Sequence, residues 1–216
     1  MIHAYKETYL SSAANKFGNM MNYAVNDYDI DGDRYLHMFI SSGLAQQFER
    51  GNPKFIAGLS GIDLATETIR FTTGKTPTIK PTELDYRTAE YWGGWALARY
   101  QWYSSLRFAS ILRCITFSDI LDMYPTLHEA DITKFISIAN ELYIRANPQT
   151  NLKRIREING LSQSKLAKEA DVSLRSIQMY EQRNKDINKA KVITIVKIAQ
   201  VLGCNVEDLM EITISH

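Results

Sequence analysis

A chain of 216 residues with 45% apolar and 23% charged side chains can bury a real core, and a net charge of +1 excludes a uniformly polyanionic or polycationic protein. No apolar run approaches the roughly 18 residues of a membrane span, the start "MIHAYKETYL" is no secretion signal, and a cytoplasmic protein is expected. Cys114 and Cys204 share neither ligand nor CxxC spacing, so they are expected as reduced core thiols, with no metal and no cofactor.

The predicted elements are helical from the start. "YKETYLSSAANKFGNMMNYAVNDY" keeps Tyr9, Leu10, Ala13, Phe17, Met20, Met21 and Ala24 at helical spacing. "RYLHMFISSGLAQQFERGNP" gives a second helix ended by Gly51 and Pro53. Ser60 or Asp63 can cap a third, "GIDLATETIRFTTG". Pro77 and Pro81 make "KTPTIKPTELDYR" a loop. A long aromatic helix follows over 88–109, holding Trp92, Trp95 and Trp102 with Tyr91, Tyr100, Tyr103 and Phe108. Such density is expected mainly as core. Seven large aromatics exceed one stripe, though, so Trp92, Trp95 and Trp102 are also a candidate partner or ligand surface. Next come "FSDILDMY", with Ser118 as N-cap, and "TLHEADITKFISIANELYIRA" after Pro125; Pro148 marks a break.

Beyond that break the charge balance changes. Residues 1–149 hold 14 basic and 16 acidic side chains, whereas 151–191 hold 10 and 5, so the C-terminal third is where a polyanion would bind. Its helices come in a definite order. "TNLKRIREIN" stops at Gly160, "SQSKLAKEA" begins with Ser162 as cap, "DV" is a tight turn, and "SLRSIQMYEQR" begins with Ser173 as cap. "NKAKVITIVKIAQVLG" and "NVEDLMEI" close the bundle. Two helices joined steeply by so short a turn form a unit whose second helix can enter the DNA major groove.

The stretch "GLSQSKLAKEADVS…IQMYEQ" followed by "IVKIAQVLGCNVEDLM" resembles the Cro/C1-type (XRE) helix-turn-helix family of bacterial and phage repressors. The likeness covers roughly 150–211. It implies a five-helix lambda-repressor-like DNA-binding domain over 150–211; with the helical domain read over 1–147, an all-α chain is expected. It also implies that Gln163, Ser173, Leu174, Arg175, Ser176, Gln178 and Met179 face bases or phosphate, and that Arg156 and Glu181 form a structural ion pair. Arg175 suits specificity best, because arginine can donate twice to guanine. Arg183 and Lys185, in the basic loop "QRNKDINKA", are expected on backbone phosphates. One departure is Asp171 in place of the usual turn glycine, tolerable because Asp enters the left-handed region at modest cost. The competing reading of this bundle is a docking module that has lost DNA binding.

Other motifs fail. "DYDIDGDRYLHM" imitates a calcium loop, but Met38 stands where a bidentate Glu belongs, so Asp31 or Asp33 is expected to cap the next helix. "TTGKT" lacks the upstream glycine of a phosphate loop. The four histidines show no ligand spacing and no nucleophile motif is present, so no catalytic residue is assigned and the chain is not expected to be an enzyme. The N-terminal part is also similar to helical regions ahead of such domains in bacterial regulators, some in toxin–antitoxin-like cassettes. The expected function is therefore a transcriptional regulator, a repressor and possible antitoxin, acting as a homodimer on operator DNA. The N-terminal domain is expected to supply dimerisation and to bind a toxin or a small effector. The alternative is an N-terminal enzyme or toxin that is autoregulated through its DNA-binding tail.

Overall fold

The computed structural model describes residues 3–82 and 87–211. These contain helices and turns and no strand, and the chain divides into two compact units, Met1–Tyr143 and Ile144–His216.

The first unit is built on α1 (Leu10–Asn22) and α5 (Ala89–Ser104), which cross closely. A glycine on each helix permits this. A Cβ on Gly18 would lie 2.8 Å from the Tyr91 carbonyl oxygen, and one on Gly94 would lie 2.9 Å from that of Phe17. Around the crossing pack α2 (Gly32–Ser41), α3 (Leu44–Glu49), α4 (Gly61–Thr73), α6 (Phe108–Ile111), α7 (Phe117–Leu127) and α8 (Ile132–Ala146). Phe17, Phe39, Phe48 and Phe108 form one aromatic cluster, with centroids from 4.9 Å (Phe17–Phe108) to 6.4 Å (Phe39–Phe48) apart. These offset and edge contacts are the favoured geometries for rings.

Several boundaries differ from those the sequence predicts. The helix expected over 34–51 is split at Gly43, whose φ of +78° ends α2 and opens α3. The aromatic helix stops at Ser104, because Ser105 takes φ +56°. Thr116, not Ser118, caps α7, in a reciprocal box with Asp119. Ser118 instead donates its hydroxyl to Asp33 at 2.8 Å. The same carboxylate accepts the Phe117 and Ser118 N–H groups at 2.6 and 3.2 Å, placing an anion from α2 on the positive end of α7. Pro125 lies inside the last turns of α7 rather than ahead of a new helix, and α8 begins only at Ile132. Asp31 caps α2 through the Arg34 N–H at 2.8 Å, and Ser60 with Asp63 forms the box that starts α4.

The aromatic helix α5 is wrapped on nearly every side. Trp92 is 8% exposed and meets Tyr124 and Phe135 edge-on, each at 5.7 Å. Trp102 is 8% exposed, donates its ring N–H to the Tyr5 carbonyl at 2.8 Å and stacks on His3. Both are core, as the density of aromatics mainly suggested, and are not part of the candidate partner surface. Trp95 alone is half-buried, under the Arg99 guanidinium at 4.4 Å.

The second unit holds α9 (Asn151–Ile158), α10 (Gln163–Glu169), α11 (Leu174–Glu181) and α12 (Val192–Leu202). Short 3-10 turns cover Ile187–Lys189 and Val206–Leu209. The expected fifth helix is thus a single tight turn, set off by Gly203 in the left-handed region and boxed by Asn205 and Asp208. The core is Leu152, Leu166, Ala167, Ala170, Ile177, Tyr180, Ile187, Ile195, Ile198, Ala199, Leu202 and Leu209. Cys114 and Cys204 are each half-buried rather than core.

Candidate nucleic-acid interface

Two serines fix the starts of α10 and α11. Ser162 accepts the Lys165 N–H and Ser173 accepts the Ser176 N–H, both at 3.1 Å, satisfying backbone donors that the first helical turn leaves free. Between the helices the Val172 N–H donates to the Ala167 carbonyl at 2.9 Å, and Asp171 takes φ +50°. Aspartate thus performs the turn that glycine would make freely. Lys197 on α12 donates to the Asp171 carboxylate at 2.7 Å, holding that carboxyl below its ordinary range. The backbone reversal is therefore tied to the fourth helix, a contact the local motif did not reveal.

The inner face of α11 is locked. Ile177 and Tyr180 enter the core, and Glu181 is bound by Arg156 of α9 through Nε at 2.5 Å and Nη2 at 2.9 Å. The side chains are only 9% and 2% exposed. Arg156 further donates to the Leu161 carbonyl at 2.6 Å, and the Glu181 hydrogen bonds push its ionisation above the ordinary range. Gln163 completes the group, its amide nitrogen donating to Glu181 at 2.7 Å. One buried carboxylate thus joins α9, α10 and α11, and the side chain expected on phosphate or a base edge helps to orient the ion pair.

The outer face of α11 is presented. Ser173, Leu174 and Arg175 are exposed at its first turn, and Arg175 has no side-chain bond among the described residues. Ser176 is half-buried with its hydroxyl on Ser173 at 2.8 Å, and Gln178 and Met179 are half-buried farther along. Lys185 is exposed beyond the helix, its ammonium 5.4 Å from the Tyr180 ring centre. Lys189 and Lys191 are exposed as well, while Ile187, between Lys185 and Lys189, is buried and pins the loop to the core.

Arg183 does not join this basic group. Its guanidinium donates to the carbonyls of Asn147, Pro148 and Gln149 and approaches Glu211, so the side chain expected on phosphate is already engaged within its own unit. No sequence signal pointed to this, because backbone carbonyls carry no side-chain identity.

An eight-residue helix displayed by its first turn, held from behind by a buried ion pair and followed by a lysine-bearing loop anchored at Ile187, is suited to entering a groove lined by phosphates. No curated protein and no solved structure matches the chain. Residues 152–209 match a family model described as Helix-turn-helix. Residues 152–209 are thus an XRE-type helix-turn-helix domain, the DNA-binding module of a transcription regulator.

Proposed function

We propose that the chain is a sequence-specific repressor that acts as a homodimer on operator DNA in the cytoplasm, by binding rather than by catalysis. The observation that carries this is the asymmetry of α11: Ile177, Tyr180 and Glu181 are fixed inward while Ser173, Leu174 and Arg175 stand exposed. Arg175 would read a guanine, and Lys185, Lys189 and Lys191 would track phosphates. Pairing of two copies is supported by Val192 and Ile193, 79% and 61% exposed on the first turn of α12 directly after the basic loop. Among the described residues no helix is long and apolar enough to cross a membrane. The N-terminal unit would take a protein partner, as an antitoxin does, or a small effector, and half-buried Trp95 is the one tryptophan of α5 still available to it.

The test is a gel shift of the full chain on its own upstream duplex and on random duplex, over a range of salt. Arg175→Ala should cost about 1–3 kcal/mol on the specific site and little on random DNA, whereas Lys185→Ala should weaken both and lower the salt slope by about one. Equal losses on both duplexes for both variants would refute this division of labour.

A further inference from the structure

Arg183 holds an unusual position. It lies two residues beyond α11 and takes φ +56°, a conformation that favours glycine. That backbone aims the guanidinium at the segment joining α8 to α9. Nη1 donates to the Pro148 carbonyl at 2.9 Å, and Nη2 donates to Asn147 at 3.0 Å and Gln149 at 3.3 Å. Three consecutive carbonyls are thereby gathered onto one planar cation, with Glu211 Oε2 at 3.5 Å. The other Glu211 oxygen accepts the N–H of Asn151, the first residue of α9. The Glu211 N–H donates to Asn188 Oδ1 at 3.0 Å, and Asn188 Nδ2 returns a bond to the Glu211 carbonyl. The exit of the recognition helix, the connecting segment, the start of α9 and residue 211 therefore form one polar knot. Burial pushes the Glu211 carboxyl up, and the Asn151 N–H and Arg183 pull it back.

We propose that Arg183 is a positioning residue rather than a phosphate contact: it latches segment 147–149 to the end of α11, so that the course of that segment and the seating of the recognition helix on DNA are coupled. This rests on the DNA-binding reading. Three features favour the latch. The Arg183 side chain is 34% exposed against 82% for Lys189, so its own unit covers more of it than of that lysine. Its positive charge is partly met by Glu211 and is worth correspondingly less to a polyanion. Two guanidinium nitrogens share the three carbonyls, a spread that the single nitrogen of a lysine ammonium matches less well although it too carries three donors. Coupling between the two places must also be reciprocal: what DNA does to the segment, the segment does to DNA affinity.

Hydrogen exchange on the full chain tests this, with and without its upstream duplex. Arg183→Gly is safe for folding because glycine accepts φ +56° without strain; Arg183→Lys keeps the charge. Without DNA, both variants should speed exchange of the Asn151 and Glu211 amides about tenfold, while the Ile177 amide, inside the core, stays as slow as before. With DNA, exchange of Asn151 should slow in the wild-type chain and not respond in either variant, and the salt slope of binding should stay unchanged. Restoration of linker protection by Arg183→Lys, or a salt slope lowered by about one in Arg183→Gly, would overturn the latch. Failure of the wild-type chain to bind DNA at all would instead remove the functional reading, and the exchange difference without DNA would still judge the contact.

Discussion

The Arg156–Glu181 pair gives a sharp test of what holds the recognition helix. Replacing Glu181 with Leu strips Arg156 of its bonds at 2.5 and 2.9 Å and leaves the Gln163 amide without its acceptor at 2.7 Å. Arg156 keeps the Leu161 carbonyl and a longer contact to Glu157. A buried cation stranded in this way costs about 3–5 kcal/mol, a large share of the roughly 5–15 kcal/mol that stabilises a domain. The double variant Arg156→Met/Glu181→Leu removes both charges and their desolvation together, and should fall within about 1 kcal/mol of the wild type. Urea unfolding followed by far-UV circular dichroism reads the loss. Tryptophan fluorescence is the internal control, because all three tryptophans lie in the first unit. A Glu181→Leu loss below about 1 kcal/mol, or a double variant as unstable as the two single losses added, would refute a buried, mutually dependent pair.

Three further outcomes follow from the geometry. Gly94→Ala places a methyl 2.7 Å from Met21 Cγ and 2.9 Å from the Phe17 carbonyl, so unfolding of the first unit, read by tryptophan fluorescence, should shift by about 1–3 kcal/mol even though alanine is the better helix former; a stabilised variant would deny the close crossing. The Asp63 carboxyl is held below its ordinary 3.8 by the Ser60 hydroxyl and N–H. Its contribution is present above that value and lost as pH falls through the depressed one, so Asp63→Asn should flatten the acid limb of a thermal melt, and an unchanged limb would count against the box. Val192→Asp, at a site 79% exposed, should keep the far-UV circular dichroism of the wild type and abolish self-association in sedimentation; a variant that still pairs would place the dimer contact elsewhere.

Legibility from sequence followed the range of the interactions. The helix-turn-helix segment was readable because its information is local: Ser162 and Ser173 cap within three residues, and apolar spacing within each helix marks its buried face. The Arg156–Glu181 positions came from the family resemblance, which stores a contact spanning 25 residues that no periodicity displays. Where partners are distant and unrelated to any motif, reading failed. Ser118 looked like a cap, but Asp33, some 85 residues earlier, holds it, and Thr116 caps the helix instead. Arg183 looked like one more cation in a basic loop because its acceptors are carbonyls 34 to 36 residues away. For α5 the composition was ambiguous between interior and surface, and only packing on all sides decided it.

Ile187 has a consequence for the kinetics of encounter. Its burial between Lys185 and Lys189 anchors the middle of the loop to the interior, so the backbone that carries these ammonium groups is tethered before any nucleic acid arrives. Little chain entropy then has to be surrendered on docking, and the barrier to productive collision is set mainly by orientation and long-range attraction. On the proposed function, association should accordingly be fast and slow steeply with added salt, and Arg175→Ala should instead shorten the lifetime of the complex.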